Sequence, residues 1–492
     1  MRTFDFPSRF VVVAVPLVLI TSSTLALAGT FTWTNSASGG DWGTASNWSS
    51  LPTFAADDVL DFSTLNISGQ TQTNLGTPRT AGKLIFADTS GTDGFWLVRQ
   101  STLTLATSTG KPEIAVTNQG VNFGGIVVGT QGFTKTGAGS VYFTGLSNTH
   151  TGGIVVSGGT LGVYNITNSV DTMLGAAPGA FEAANISLAS GTTFANRNIG
   201  GLGSNLTLVA NRGITLTGGG VTTFDVVDSL GTGSGTGTTL TINGAITGSG
   251  SINHIGSNNS TLVLNGAITT NGGVANANGA LYLGGTNTYT GATTINSGLV
   301  VVNGSLASGS AVTIQSTGTL AGSGVVSGTV AVKSNGILAP GGVVGKLTTG
   351  NTDFESGSIF SWELGSSPAT TGRGTNYDAV NTSALSGSGA IFRVVLNSSQ
   401  NFSETFWDSN RTWADIFTNV AGTTNLSIAS IFSSVQYYNA SGALASPAVS
   451  QGSFTFSGTN LQWTVVPELS SIYAGILLGV GVLRRRRAGR VL

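Results

Sequence analysis

Two nine-residue segments of this chain are nearly identical and begin 22 residues apart: TLTINGAIT at 239–247 and TLVLNGAIT at 261–269. Apolar and polar residues alternate in both, as in a β-strand with one buried face, and Asn and Gly then mark a turn. A unit this short cannot bury its apolar face alone and has to stack on its neighbour. The repeat therefore predicts an all-β fold, a right-handed parallel β-helix whose inward Val, Ile and Leu side chains form one continuous core.

The composition agrees with a long sheet that has many tight turns. Of 492 residues, 74 are glycine and only 8% are charged, whereas soluble globular proteins average about 25% charged residues. The hydrophobic content of 40% excludes charge-rich disorder. Cysteine is absent, which excludes thiolate catalysis and a cysteine metal site.

A longer repeat relates residues 141–161 to residues 280–300. The segment NTHTG at 148–152 of the first copy corresponds to NTYTG at 287–291 of the second. The second copy continues as NTYTGATTINSG and closely resembles the autotransporter-associated β-strand repeat, and the first copy is a looser match. The resemblance implies a β-helical stalk on an exported protein.

The N-terminal segment, 1–28, has the features of a secretory signal peptide. Arg2 and Arg9 precede and flank an apolar core, FVVVAVPLVLI at 10–20, and the small residues Ala26 and Ala28 mark a cleavage site. This segment predicts signal peptidase and the export machinery as partners. The alternative interpretation is a buried N-terminal strand.

The C-terminal end combines a short apolar run with a basic cluster. The run at 472–483 has 12 residues, whereas a helix needs about 20 apolar residues to cross a membrane. Positive charges after such a run favour a cytoplasmic end. The cluster consists of Arg484, Arg485, Arg486 and Arg487.

A short motif, the apolar run and the arginine cluster follow one another at the C-terminal end, and this order resembles the PEP-CTERM sorting signal of Gram-negative bacteria. The motif consists of Val466, Pro467 and Glu468, with Leu469 where the family has a second proline. The resemblance implies an exosortase-type membrane protease and an extracellular polysaccharide as partners. It also implies transient retention in the inner membrane before delivery to the cell envelope, the cell surface or the extracellular matrix. The alternative is a plain single-pass anchor.

The sequence predicts five segments: a signal peptide at 1–28, an N-terminal β cap at 29–100, β-helix repeats at 101–350, a β-rich C-terminal region at 351–465 and the sorting tail at 466–492. In the cap, three tryptophans stand among small residues and either cover the end of the β-helix or form a carbohydrate-stacking platform. They are Trp33, Trp42 and Trp48. The C-terminal region closes the rod, as a small sandwich in one interpretation. It contains the one stretch that favours a short helix, FWDSNRTWADIF at 406–417.

The net charge of −1 hides an uneven distribution of basic residues. Without residues 1–28 and 469–492 the chain keeps 12 basic and 19 acidic residues, a net charge of −7. The mature chain is therefore mildly acidic and has no basic patch that would favour nucleic acid.

The histidines give no catalytic pattern. His150 occupies the place of Tyr289 in the other repeat copy, which indicates a packing position, and His254 stands alone. We therefore predict no catalytic residue, no metal site and no cofactor.

Two groups of acids need separate consideration. Asp225 and Asp228 lie three residues apart in an extended segment and would point to opposite faces, as would Asp58 and Asp61. Acids from neighbouring coils can still meet, and calcium binding by Asp57 and Asp58 stays open.

Three functions compete. The first is a non-enzymatic structural protein, an exported β-helical stalk. The second is a glycan-binding adhesin, which requires Trp42 or Trp407 on the surface. The third is a polysaccharide-active β-helix enzyme, which requires charged side chains that converge in one groove.

Overall fold

The computed structural model describes residues 28–91, 94–165, 170–198, 205–228, 237–396, 404–439 and 451–466. Over these residues the chain is all-β, and strand after strand pairs in parallel with the strand one coil earlier. In most coils the chain passes through three successive faces. This is the predicted β-helix; its right-handedness remains an expectation from the rule for parallel crossovers.

The first face is built by two successive sheets, joined by a parallel bridge between Ile246 and Ile268 and by the Thr288 N–H, which donates to the Ile268 carbonyl at 2.9 Å. Its strands are Thr30–Thr32, Val59–Phe62, Lys83–Phe86, Glu113–Val116, Phe133–Thr136, Ile154–Val156, Glu182–Ala189, Arg212–Thr217, Ile246–Gly248, Thr286–Asn287, Ser305–Leu306, Val325–Val326, Lys346–Thr349, Ala379–Thr382 and Phe417–Thr418.

The second face follows the first along the chain in each coil. Its strands are Gly40–Asp41, Gly69–Asn74, Gly94–Arg99, Gly120–Phe123, Ser140–Phe143, Thr160–Asn165, Thr193–Asn198, Val221–Asp228, Ser251–Gly256, Val274–Asn276, Val330–Val332, Thr352–Phe354 and Leu385–Gly387. Two longer strands, Thr293–Val302 and Val312–Gly322, run through both the second and the third face.

The third face completes most of the coils. Its strands are Arg79–Ala81, Thr102–Leu105, Ile126–Val128, Asn205–Leu208, Thr239–Ile242, Thr261–Leu264, Ala280–Leu283, Ile337–Pro340, Ile359–Leu364, Ala390–Leu396 and Phe432–Asn439. Two short 3₁₀ turns, Ala45–Asn47 and Asp171–Leu174, lie between strands.

The sequence repeat sets the register of the coils. Thr239 pairs with Thr261 and Ile242 with Leu264, so the two copies of the nine-residue segment lie directly over each other. Coil length nevertheless varies: the coil that joins Thr319 to its partner Ile337 is short, and the late coil that leads from Ala390–Leu396 to Phe432–Asn439 is much longer. Loops between the strands therefore absorb insertions while the strands keep their register.

Inward side chains form the core as columns that run through successive coils. On the third face, one column is fully buried and passes through registered partners. It consists of Leu240, Leu262, Leu281, Val300, Leu320, Leu338, Phe360 and Phe392. Burying each such side chain contributes about 1.5–3 kcal/mol, so every coil gains stability from the one before it.

The first residue of the segments NTHTG and NTYTG, an asparagine, has the same structural role in both copies of the longer repeat. The Val127 N–H donates to Asn148 Oδ1 at 2.7 Å, and the Ile268 N–H donates to Asn287 Oδ1 at 3.0 Å. Both asparagines are buried. Each one satisfies a buried backbone group of the preceding coil, which would otherwise cost free energy.

The parallel pairing crosses both inner boundaries of the predicted domain division, since Lys83–Phe86 pairs with Glu113–Val116 and Val330–Val332 pairs with Thr352–Phe354. It continues in the C-terminal region, where Ala390–Leu396 pairs with Phe432–Asn439. The interpretation of the C-terminal region as a sandwich is therefore wrong for the described residues.

The predicted short helix at 406–417 is also wrong. This stretch forms turns and then the strand Arg411–Trp413. That strand pairs antiparallel with Asn460–Val465, which also pairs with Gly452–Ser457. Burial of Trp407 and Trp413 against the aromatic core outweighs the local helix preference of the stretch.

Candidate functional site

The predicted sorting and cleavage residues lie almost entirely outside the described residues. Of the sorting motif only Val466 is described; it is exposed, and its N–H donates to the Gln451 carbonyl at 2.9 Å. Ala28 is described and exposed. The remaining residues, Ala26, Pro467, Glu468, Arg484, Arg485, Arg486 and Arg487, lie outside the described ranges.

Among the residues that the structure describes, no helix is both long enough and apolar enough to cross a membrane. The apolar run at 472–483, on which the predicted membrane retention depends, is not among those residues.

The tryptophans proposed as a glycan platform are buried. Trp42 and Trp407 have 0% and 1% of their surface exposed, so neither can present a ring to a ligand. Trp33 and Trp48 meet edge to face at 4.9 Å between ring centroids, and both pack on Phe62. The platform interpretation is therefore wrong, because these rings fill the first coils of the core.

The acidic cluster at 57–61 stabilises local turns. Asp58 is buried and accepts hydrogen bonds from Thr53 Oγ1 at 2.7 Å and from the Ala55 N–H at 3.0 Å. Asp57 Oδ1 accepts from the Ser108 N–H at 2.8 Å, and Asp61 Oδ1 accepts from the hydroxyl of Ser63 at 2.6 Å. The three carboxylates thus bind separate groups, and no cluster of three or more metal-ligating side chains occurs in the described part of the chain.

Both histidines face the core. His150 is buried beside the rings of Phe133 and Phe143, at centroid distances of 5.4 and 6.2 Å. Burial lowers the pKa of His150 to about 4. His254 shares a 2.6 Å hydrogen bond between its Nδ1 and Asn276 Oδ1, and burial lowers its pKa. The packing interpretation of His150 agrees with this geometry.

The outward side of the second face carries an open groove of about 280 Å³. Its lining combines aromatic rings, amides, hydroxyls and one cation. These residues are Phe95, Gln119, Gly120, Asn122, Ser140, Tyr142, Tyr164 and Arg197. We refer to it as the tyrosine groove. The lining residues come from five successive strands of the second face, except Gln119, which lies in the turn before one of them. The parallel register brings these residues together.

Two tyrosines from adjacent coils form the aromatic wall of the tyrosine groove. The ring centroids of Tyr142 and Tyr164 are 5.6 Å apart with the planes tilted by 47°. Tyr142 is paired in register with Gly162, where an added Cβ would lie 2.7 Å from Tyr142 Cε1. The glycine thus allows the Tyr142 ring to lie close to the backbone of the next coil.

Arg197 supplies the positive charge of the tyrosine groove. Its Nε donates to Asp225 Oδ2 at 3.1 Å, and its Nη2 donates to the same oxygen. The Arg197 side chain is 44% exposed, whereas Asp225 is largely buried. Burial works against the charged form of Arg197, but nearby Tyr142 and Asp225 outweigh it and raise the pKa of the guanidinium. The ion pair therefore holds a charged and accessible guanidinium in one position.

A second depression, of about 310 Å³, lies near the C-terminal coils and carries acids instead. It is lined by Tyr282, Glu363 and Asp378 among mostly apolar residues. Burial raises the pKa of Glu363 to about 7 and raises that of Asp378 well above its ordinary value. Asp378 accepts from the backbone N–H groups of Gly345 and Glu363, both at 2.8 Å, so its carboxyl organises the backbone.

Sequence reasoning missed the tyrosine groove. Tyr142 and Tyr164 occupy outward positions in strands whose other residues define the repeat, as in SVYF at 140–143. The sequence signal that could have indicated the groove is a large aromatic residue at an outward strand position that is otherwise polar. Arg197, which is in register with Tyr164, comes from a coil longer than the short repeat predicts, so the sequence period does not place the two side chains together.

Two stretches of the chain, residues 133–163 and 278–302, match the family described as Passenger-associated-transport-repeat. They contain the segments NTHTG and NTYTG, so the predicted resemblance to an autotransporter-associated repeat is confirmed for both copies.

The chain is also similar to the adhesin BmaC autotransporter of Brucella suis biovar 1 (strain 1330). The two are 39% identical over 145 residues, which is 30% of this chain and 4% of the adhesin. The similarity thus concerns a small part of a much longer protein.

Proposed function

We propose that this protein is an exported, non-enzymatic surface protein in which a β-helical stalk presents its outer faces to the cell's surroundings. The observation that carries the proposal is that both matches to the transport-associated repeat lie in one continuous β-helix. The similarity to an adhesin, 39% identity over 145 residues, supports a role at the cell surface. The buried histidines and the turn-stabilising carboxylates favour a structural role over a catalytic one.

We further propose that residues 466–492 act as a PEP-CTERM-like sorting tail. In this proposal an exosortase-type protease recognises Val466, Pro467 and Glu468 while the apolar run and the arginine cluster hold the chain at the inner membrane. Signal peptidase removes the segment 1–28 before that step. The exposed position of Val466, directly after the last antiparallel strand, supports access to the motif.

The mass of the C-terminal peptide of the protein recovered outside the cytoplasm tests the tail proposal. A terminus near Glu468 supports a removed sorting signal and delivery to the surface or the matrix. An intact Leu492 in the inner-membrane fraction supports a permanent anchor and refutes the sorting proposal. Replacement of the four arginines by glutamine serves as the matched variant and is expected to abolish retention without changing the folded β-helix.

A polysaccharide-active enzyme is the second candidate, because burial raises the pKa of Glu363 to about 7 beside the carboxyl of Asp378. General acids are tuned in this way. Release of reducing ends from soluble polysaccharides by the wild-type protein, and its loss in Glu363→Gln, would support this candidate. Equal, background-level release by both proteins would exclude Glu363 as an acid for these substrates.

A further inference from the structure

We infer that the tyrosine groove binds an acidic saccharide, with a carboxylated sugar ring against Tyr142 and Tyr164 and its carboxylate on Arg197. The inference deepens the proposed surface function, on which it rests for its biological setting, by naming a ligand class and a binding site. It replaces the tryptophan platform, whose rings are buried, with residues that reach the outer surface.

The aromatic wall selects for a ligand that has an apolar face. A small inorganic anion would bind Arg197 but would gain nothing from two tyrosine rings that meet at 5.6 Å. A pyranose ring has an axial face of C–H groups that can pack on such rings, as other apolar surfaces do. Gly120, which lies within a strand and lines the groove, adds no side chain to it.

The charge and the polar groups select for a carboxylate and hydroxyls. Guanidinium groups recognise carboxylates through paired hydrogen bonds. The two bonds from Arg197 to Asp225 use Nε and Nη2 and leave Nη1 outside that pair. Amide and hydroxyl side chains of Gln119, Asn122 and Ser140 line the same groove and suit sugar hydroxyls.

The overall negative charge of the chain means that binding of an acidic saccharide would depend on a local positive site. The chain without its two ends carries a net charge of −7, so nonspecific attraction of an acidic polymer is not expected. Binding of an anionic saccharide would therefore have to depend on a local cation, and Arg197 is the cation of this groove. The groove is open, which suits a unit within a polymer.

Binding of a short oligogalacturonate to the purified full-length protein with Arg484, Arg485, Arg486 and Arg487 replaced by glutamine, followed by calorimetry, tests the inference. The replacement removes the cluster of positive charges in the tail, which would itself attract an acidic oligomer. The methyl-esterified oligomer has the same sugar rings without the negative charges and is the matched ligand control. We expect the acidic oligomer to bind and its ester to bind at least about tenfold more weakly, the scale of one charge-assisted contact.

Variants of the tyrosine groove locate the binding. Tyr164→Ala is expected to weaken oligogalacturonate binding about tenfold, and Tyr164→Phe, which keeps the ring, to restore most of it. Arg197→Gln combined with Asp225→Asn removes both charges of the ion pair, so that no buried carboxylate is left unpaired. That double variant is expected to bind the acidic oligomer and its ester equally.

Tyr438→Ala is the matched control, because the ring of Tyr438 also lies against an arginine, with Arg393 Cζ 4.3 Å from the ring centroid, but on the third face and outside the tyrosine groove. Unchanged binding in Tyr438→Ala supports the assignment, provided that thermal unfolding shows every variant to be folded. The inference is refuted by equal binding of acid and ester, by wild-type affinity in Tyr164→Ala, or by no binding at all. None of these outcomes depends on the sorting tail, which the C-terminal peptide mass tests separately.

Discussion

Replacement of His150 by phenylalanine should remove an acid-sensitive element from the core. His150 is 2% exposed, and neither ring nitrogen has a hydrogen-bond partner among the described residues. Residues of the 3₁₀ turn region cover it: a Cβ on Gly175 would lie 2.7 Å from its Cδ2, and the Ala176 N–H donates to its carbonyl at 3.0 Å. The folded protein therefore holds this imidazole neutral.

The sign and the size of the contribution of His150 to the free energy of unfolding follow from its pKa. Burial lowers the pKa of His150 from 6.5 to about 4. As the pH falls through 6.5, the unfolded chain takes up a proton that the folded chain refuses until about pH 4. His150 thus lowers the free energy of unfolding over this window, by about 2 kcal/mol at pH 5 and about 3 kcal/mol below pH 4.

Urea unfolding of wild type and His150→Phe at pH 7.5, 6 and 5, followed by tryptophan fluorescence, measures this difference. We expect the stability of wild type relative to the variant to fall by about 2 kcal/mol between pH 7.5 and pH 5. Tyr289→Phe, at the matching position of the other repeat copy, is the control and should leave the acid profile unchanged. Parallel pH profiles for wild type and His150→Phe would refute the reasoning that His150 is buried in its neutral form.

Three further changes test other parts of the structure. Asn287→Ala leaves the buried Ile268 N–H without its acceptor, and urea unfolding should show a loss of about 1–3 kcal/mol. Arg212→Leu breaks the buried ion pair between Arg212 Nε and Asp171 Oδ1, which are 2.9 Å apart, and should lower the free energy of unfolding by about 3–5 kcal/mol. A loss no larger than that expected for an exposed ion pair would contradict the role of this pair in the buried core. Glu363→Gln should raise the melting temperature at pH 8 more than at pH 5, because burial raises the pKa of this carboxyl to about 7 and its charged form is disfavoured in the fold. Equal shifts at both pH values would show that the charge of Glu363 does not matter.

The sequence repeat predicted the core well because the core obeys a strict rule. Inward positions such as Leu240 and Leu262 must be apolar and must stay in register, and both requirements leave a period in the sequence. The packing role of His150 followed from the same rule, since the other copy has a tyrosine there.

The flanks were harder to predict. Coils near both ends keep the parallel pairing but vary in length, so they show no period that can be read. The stretch at 406–417 has a local preference for helix. Its structure is determined instead by the burial of its tryptophans, of which Trp407 packs on Trp463. Contacts between residues far apart in the chain determine this part of the fold, and a local pattern does not contain them.

The tyrosine groove lies where the repeat imposes the weakest constraint. An outward position on the second face has to be compatible with a strand, but the core does not specify its side chain, so Tyr142 in one coil lies beside Gly162 in the next. The ligand-facing residues therefore depend on register between coils of unequal length, as Tyr164 and its registered partner Arg197 do. A β-helix can in this way keep its core constant while a few outward positions acquire other side chains, and the same independence explains why the sequence period predicts the columns of the core but not the residues of the groove.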